Sequence, residues 1–261
     1  MLFFTPKLPV SEEQRQWVND GFRRLEKLLG RERMLRAKIV EPTAGDFPDP
    51  YSKDREAAER LFSRVCAYMS VDRSAVDMEI FPDETEELRE LLPSWRSKGE
   101  SGAAGMYLHA HERGPDGPGG HMLVAIRSSM LRDPMALVAT IAHELGHVIL
   151  LGGGRLTTDV GDHEPLTDLL TVFLGMGIFT ANSAARFRKF QDERRIGWSV
   201  KRLGYLPERV FGYALAKFVV ERGDGARWAR HLSPNVRADF KQSLRWLKKN
   251  PEYVPMAKPI G

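Results

Sequence analysis

Apolar positions recur along this chain with two periods, and each period predicts a kind of element. Ser11 and Gln14 form a capping-box pair, after which Trp17, Val18, Phe22, Leu25, Leu28 and Leu29 build one helical stripe that stops at Gly30. Residues 34–40 read as a strand, and the Pro, Gly and Asp cluster over 42–54 as a loop. A second amphipathic helix is expected over 55–69. Val76, Met78 and Ile80 alternate as a strand does, and 84–92 resembles a short acidic helix. The Gly/Ser-rich stretch 97–104 marks a connection between parts of the chain.

Two further strands are expected over 105–111 and 121–127. The Gly/Pro-rich loop 114–120 lies between them, which suits a hairpin. Asp133 is placed as an N-cap with Pro134 at the first helical position, so a helix should run over 134–151 and stop at the glycines 152–154. It is apolar on nearly every face and must therefore lie at the centre of the fold. A second buried helix is expected over 164–179. Val210, Phe211, Ala214, Leu215, Phe218 and Val219 then recur at helical spacing, 234–249 form a basic amphipathic helix, and the proline-bearing tail from Pro251 reads as extended.

With 261 residues and 42% hydrophobic content, the chain can bury a core without disulfides, as one folded unit. Its single cysteine, Cys66, falls on the apolar stripe of the second helix and reads as a small buried hydrophobe. The first ten residues lack the long apolar region and cleavage site of a signal peptide, and the apolar stretches 134–151 and 165–179 are interrupted by ionisable side chains. The expectation is a cytoplasmic protein with no inserted membrane segment. Charge is uneven: residues 186–261 carry 18 Lys and Arg against 7 Asp and Glu, in a chain whose net charge is only +4. Such a lobe can meet nucleic acid, an anionic membrane surface or an acidic partner. Its basic residues are spread over several helices without an aromatic-flanked nucleic-acid signature, which favours solvated helix faces.

The chemistry is concentrated in His143-Glu144-Leu145-Gly146-His147. Two histidines four apart on a helix point the same way, so both can reach one ion at about 2.0–2.1 Å. A carboxylate between them can accept the proton of a water whose pKa the ion has lowered. Embedding three such side chains in an apolar helix is costly unless they have a partner. A catalytic zinc needs a third protein ligand and an open position. Glu164 is the best candidate, at the start of the next buried helix, with His163 and Asp168 as alternatives. Asp168, one turn beyond Glu164, can instead accept the free ring N–H of a ligating histidine.

These residues resemble the gluzincin branch of the zincin metallopeptidases, in which the HExxH helix is followed by a helix carrying Glu-x-x-x-Asp, here Glu164-Pro165-Leu166-Thr167-Asp168. The resemblance covers about residues 105–180. The metzincin extension is not met, since Leu150 and Gly153 stand where it requires glycine and histidine. The resemblance implies a zincin-like α+β fold with Zn2+ held by His143, His147 and Glu164, and with Glu144 as general base in hydrolysis of a peptide or protein substrate. It implies an N-terminal α/β lobe over 1–151 that ends in the active-site helix, and a helical lobe over 152–261. It further implies an edge strand near 105–110 along which substrate pairs, and an oxyanion donor from the C-terminal lobe, for which His231, Tyr205 and Tyr213 stand as candidates. Two readings compete: a structural zinc in a protein whose basic lobe binds nucleic acid or an acidic partner, and a narrow regulatory peptidase acting on one cytoplasmic protein.

Overall fold

The computed structural model describes residues 7–82, 105–109, 122–152, 162–189 and 206–251, with the backbone alone for 105–109 and 185–189. The acidic helix expected over 84–92, the connection 97–104, the loop 114–120, Tyr205 and the tail beyond 251 lie outside the described residues. The fold is α+β and mostly helical. The first helix, α1 (Glu12–Leu29), begins with the capping box: the Ser11 hydroxyl accepts from Gln14 N–H and the Gln14 side chain accepts from Ser11 N–H. Its stripe of Val18, Phe22 and Leu25 is buried.

The strand expected over 34–40 does not form. Arg31–Arg36 is a short helix, α2, and the chain beyond it makes a backbone bond from Val40 N–H to the Gly175 carbonyl at 3.0 Å. The misleading signal was that Met34 and Val40 are both buried. They reach the core from a helical turn and from an irregular segment, with no neighbouring strand among the described residues to complete a ladder.

Asp54 caps α3 (Arg55–Met69), whose Phe62, Val65, Cys66 and Met69 are buried. Strand β1 (Val76–Phe81) then runs parallel to β3 (Met122–Arg127), with Val76 opposite Met122 and Phe81 opposite Arg127. The intervening β2 (Gly105–His109) is antiparallel to β3, with Gly105 opposite Ile126 and His109 opposite Met122. The described sheet is thus ordered β1-β3-β2, and β2 lies at one edge.

Helix α4 (Pro134–His147) packs against β2, β3, α3 and the later helical segment Gly177–Lys189, and carries an unbroken run of buried residues from Ala136 to His147. Asp133 caps it through Met135 and Ala136 N–H. Its last turn widens to a π-type segment over Val148–Gly152. By length and composition the stretch Pro134–Leu151 is apolar enough to cross a bilayer, yet 83% of it is buried inside the fold. Each fully buried Leu, Ile or Val contributes roughly 1.5–3 kcal/mol. Leu137, Val138, Ile141 and Leu145 therefore make α4 the post around which the other elements assemble.

The single helix expected over 164–179 is two. Helix α5 (His163–Phe173) stops, and α6 (Gly177–Lys189) starts after a turn in which Gly175 has a φ of 83°. Gly175 N–H bonds the Val172 carbonyl and Met176 N–H the Thr171 carbonyl, a glycine-terminated helix end. Uniform apolarity hid this break, because both helices are buried. Helices α7 (Glu208–Arg222) and α8 (Pro234–Lys249) follow as expected and pack on each other, and α1 packs on both α5 and α7. One hydrophobic core connects the helices on both sides of residue 151.

A polar pair interrupts that core. Lys217 and Glu221 are 2% and 3% exposed at the side chain and form an ion pair on α7, with Lys217 Nζ 5.4 Å from the centre of the Phe22 ring. Removing one member of such a pair leaves an uncompensated buried charge, so Lys217→Met should cost about 3 kcal/mol of stability. The double replacement Lys217→Met/Glu221→Leu should recover most of that loss, as read from denaturant midpoints.

Candidate metal centre

Helix α4 delivers two imidazoles and α5 two carboxylates, and small-residue packing brings the helices together. A Cβ on Gly146 would lie 2.7 Å from Thr167 Cγ2, so only glycine lets α5 approach this closely. The start of α5 is also tied to α1: Arg24 donates to Asp162 Oδ1 at 3.1 Å, and Trp17 Nε1 lies 3.4 Å from Asp162 Oδ2. The N-terminal helix thereby sets where Glu164 stands.

His143 Nε2, His147 Nε2 and Glu164 Oε2 form a triangle. Its sides are 3.1 Å between the two nitrogens, 3.0 Å from His143 to Glu164 and 3.4 Å from His147 to Glu164. Tetrahedral coordination at about 2.0–2.1 Å separates ligand atoms by about 3.3–3.4 Å, within a few tenths of these sides. Among the described residues these three form the group whose donor atoms converge closely enough for a metal ion.

The outer hydrogen bonds explain why the triangle calls for a cation. Asp168 Oδ1 lies 2.9 Å from His143 Nδ1, so that nitrogen carries the proton and donates to the carboxylate. Thr167 Oγ1 donates to the His163 carbonyl at 2.8 Å and lies 3.3 Å from His147 Nδ1, which fits an Nδ1–H donor there as well. Both Nε2 atoms then turn lone pairs towards a carboxylate oxygen, and three lone pairs cannot satisfy one another. A positive charge at their centre would satisfy all three. Without metal a proton does this work. Burial pulls the His143 imidazole down, but the hydrogen bonds and charges of Asp168 and Glu164 outweigh it and hold the group well above its usual 6.5. Burial likewise pushes Glu164 up, and His147, His143 and His163 outweigh it, leaving the carboxyl well below its usual 4.5. Two imidazoles and a carboxylate suit zinc, and a divalent ion would displace that proton.

The alternatives for the third ligand sit elsewhere. His163 Nε2 is 3.2 Å from Glu164 Oε1, the oxygen turned away from the triangle, so His163 holds the carboxylate rather than joining the donor set. Asp168 lies behind His143, and its other oxygen accepts from Leu206 N–H at 2.8 Å, which ties the entry of α7 to the centre. Glu144 is 4% exposed on α4, next to His143.

The oxyanion candidates within the described residues are engaged away from the triangle. His231 Nε2 lies 3.0 Å from Glu41, and Asn182 fixes that loop by donating to the His231 carbonyl and accepting from Ser233 N–H. Tyr213 donates to Asn19 on α1 at 3.3 Å, and burial pushes its hydroxyl up to about 12. Sequence reasoning passed over Thr167. Its one signal was Gly146, a glycine inside a buried helix, which marks close approach of another element. Comparison with known protein families, with curated proteins and with solved structures gives no match to this chain.

Proposed function

We propose that this protein is a zinc-dependent hydrolase, a metallopeptidase of zincin-like, gluzincin-like design, with Zn2+ bound by His143, His147 and Glu164. The observation that carries the reading is the convergence of two imidazole nitrogens and one carboxylate oxygen at 3.0–3.4 Å.

When bound, zinc supplies Lewis acidity for a water and for the amide carbonyl. The side chains do the rest. Glu144 takes the proton of the attacking water and returns it to the departing amine, as a general base and then a general acid. Asp168 keeps His143 in one tautomer and orientation, and His163 keeps Glu164 turned. Strand β2, at the edge of the described sheet and packed on α4, would offer an extended peptide a row of backbone groups. A metallopeptidase reading supports this use of β2 more directly than a structural zinc would, since a structural site has no need of Glu144.

Metal analysis of protein purified without added metal, with turnover of a quenched fluorescent peptide library, tests the reading. One zinc per chain is expected, together with loss of turnover on chelation and recovery on zinc addition. Affinity should weaken as pH falls, because protons compete for His143. A chain that takes up no transition metal at neutral pH, or turnover indifferent to chelation, sinks it.

A further inference from the structure

We infer that Thr167 is the positioning residue for His147: its hydroxyl selects the Nδ1–H tautomer of that ring. The inference rests on reading His143, His147 and Glu164 as a metal centre.

Thr167 is fully buried. Its hydroxyl has one proton, and the His163 carbonyl at 2.8 Å takes it, because a carbonyl only accepts. Toward His147 Nδ1, at 3.3 Å, Thr167 Oγ1 is left with a lone pair. The hydrogen bond there exists only if Nδ1 carries the proton, and that in turn leaves Nε2 unprotonated and facing Glu164. The direction of the His163 bond thus propagates through one hydroxyl to the metal side of His147. The methyl acts through shape. Thr167 Cγ2 occupies the space where a side chain on Gly146 would begin, so Gly146 and Thr167 are complementary halves of one helix contact.

The two histidines are consequently held by unlike groups, His143 by the carboxylate of Asp168 at 2.9 Å and His147 by a neutral hydroxyl. A carboxylate partner raises the basicity of its imidazole more than a hydroxyl does. A divalent ion would then meet the charges of Glu164 and Asp168, with the Glu144 carboxylate beside them as proton acceptor. A second carboxylate in place of Thr167 would leave an uncompensated negative charge in a buried site.

Two substitutions in the full chain separate the hydroxyl from the methyl. Thr167→Val preserves shape and removes the hydroxyl, whereas Thr167→Ser keeps the hydroxyl and removes the methyl. Zinc affinity is measured by competition with a chromophoric chelator, thermal melts of the metal-free proteins report folding, and 15N NMR of the histidine rings reports the His147 tautomer. Thr167→Val should bind zinc about 10- to 100-fold more weakly and lose the Nδ1–H signature of His147, while Thr167→Ser stays close to wild type in both. Wild-type affinity in a folded Thr167→Val overturns the inference. So does Thr167→Ser binding as weakly as Thr167→Val, which would assign the effect to packing. Wild-type protein that binds no zinc overturns the metal centre itself, and this role with it.

Discussion

Glu144→Gln is expected to lower peptide hydrolysis by about 10²–10⁴-fold while leaving one zinc bound per chain. Glutamine matches glutamate in shape, so α4 keeps its packing, and the atoms of His143, His147 and Glu164 proposed to hold zinc are untouched. What is lost is the capacity to accept a proton from the attacking water and pass it on. The loss should appear in kcat, since that proton moves only as the transition state forms, and KM should change little. Metal content measured on the same preparation separates this from a general collapse of the centre. Undiminished turnover in a zinc-loaded variant would remove Glu144 from the chemistry and leave the site to be explained as structural.

The second large effect is on the fold. Gly175→Ala should cost on the order of 5 kcal/mol, from a left-handed backbone, a main-chain overlap and a lost buried hydrogen bond acting together. Gly175 has a φ of 83°, which an L side chain adopts only with strain. A Cβ there would lie 2.0 Å from the Lys38 carbonyl oxygen and 2.8 Å from its carbon, and backbone cannot swing aside as a flexible side chain does. Relief requires the 38–40 segment to move, which breaks the bond from the buried Val40 N–H to the Gly175 carbonyl. Folded domains are stable by only about 5–15 kcal/mol, so the variant should be largely unfolded or strongly destabilised in denaturant titration. A midpoint within experimental error of wild type would show that the α5–α6 turn is not tied to this segment as described.

Gly175 also illustrates which features were legible beforehand. It stands in a run of apolar residues where helical periodicity continues on both sides, and the contact that demands glycine comes from residue 38, more than a hundred positions away. Hydrophobic pattern reports whether a face is buried. It does not report that two buried helices meet at a turn, nor that Met34 and Val40 reach the core without a strand between them. The capping box at Ser11, the cap and proline opening α4, and the alternation in β1 were readable for the opposite reason. Each is decided by residues within a turn or two of one another, whose hydrogen bonds close locally whatever the remainder of the chain does.

The same division runs through the candidate site. His143 and His147 share a helix face by spacing alone, and Glu164 and Asp168 likewise, so the sequence by itself determined the two halves and the residue types each contributes. It left His163, Glu164 and Asp168 as rivals for the third ligand, because neighbours on a helix end differ in direction by an angle that matters only once a second helix is in place. Tertiary structure brings one of them to the two imidazoles. With Gly146 seated on Thr167, the Glu164 oxygen meets the two Nε2 atoms, His163 turns to the far oxygen, and Asp168 passes behind His143 to Leu206. It also set His231 against Glu41 and Tyr213 against Asn19, partners drawn from the opposite end of the chain. Local order along the backbone suffices to place donors on a face. Which lone pairs converge depends on how closely two helices pack, and that distance is set by side chains remote from each other in sequence.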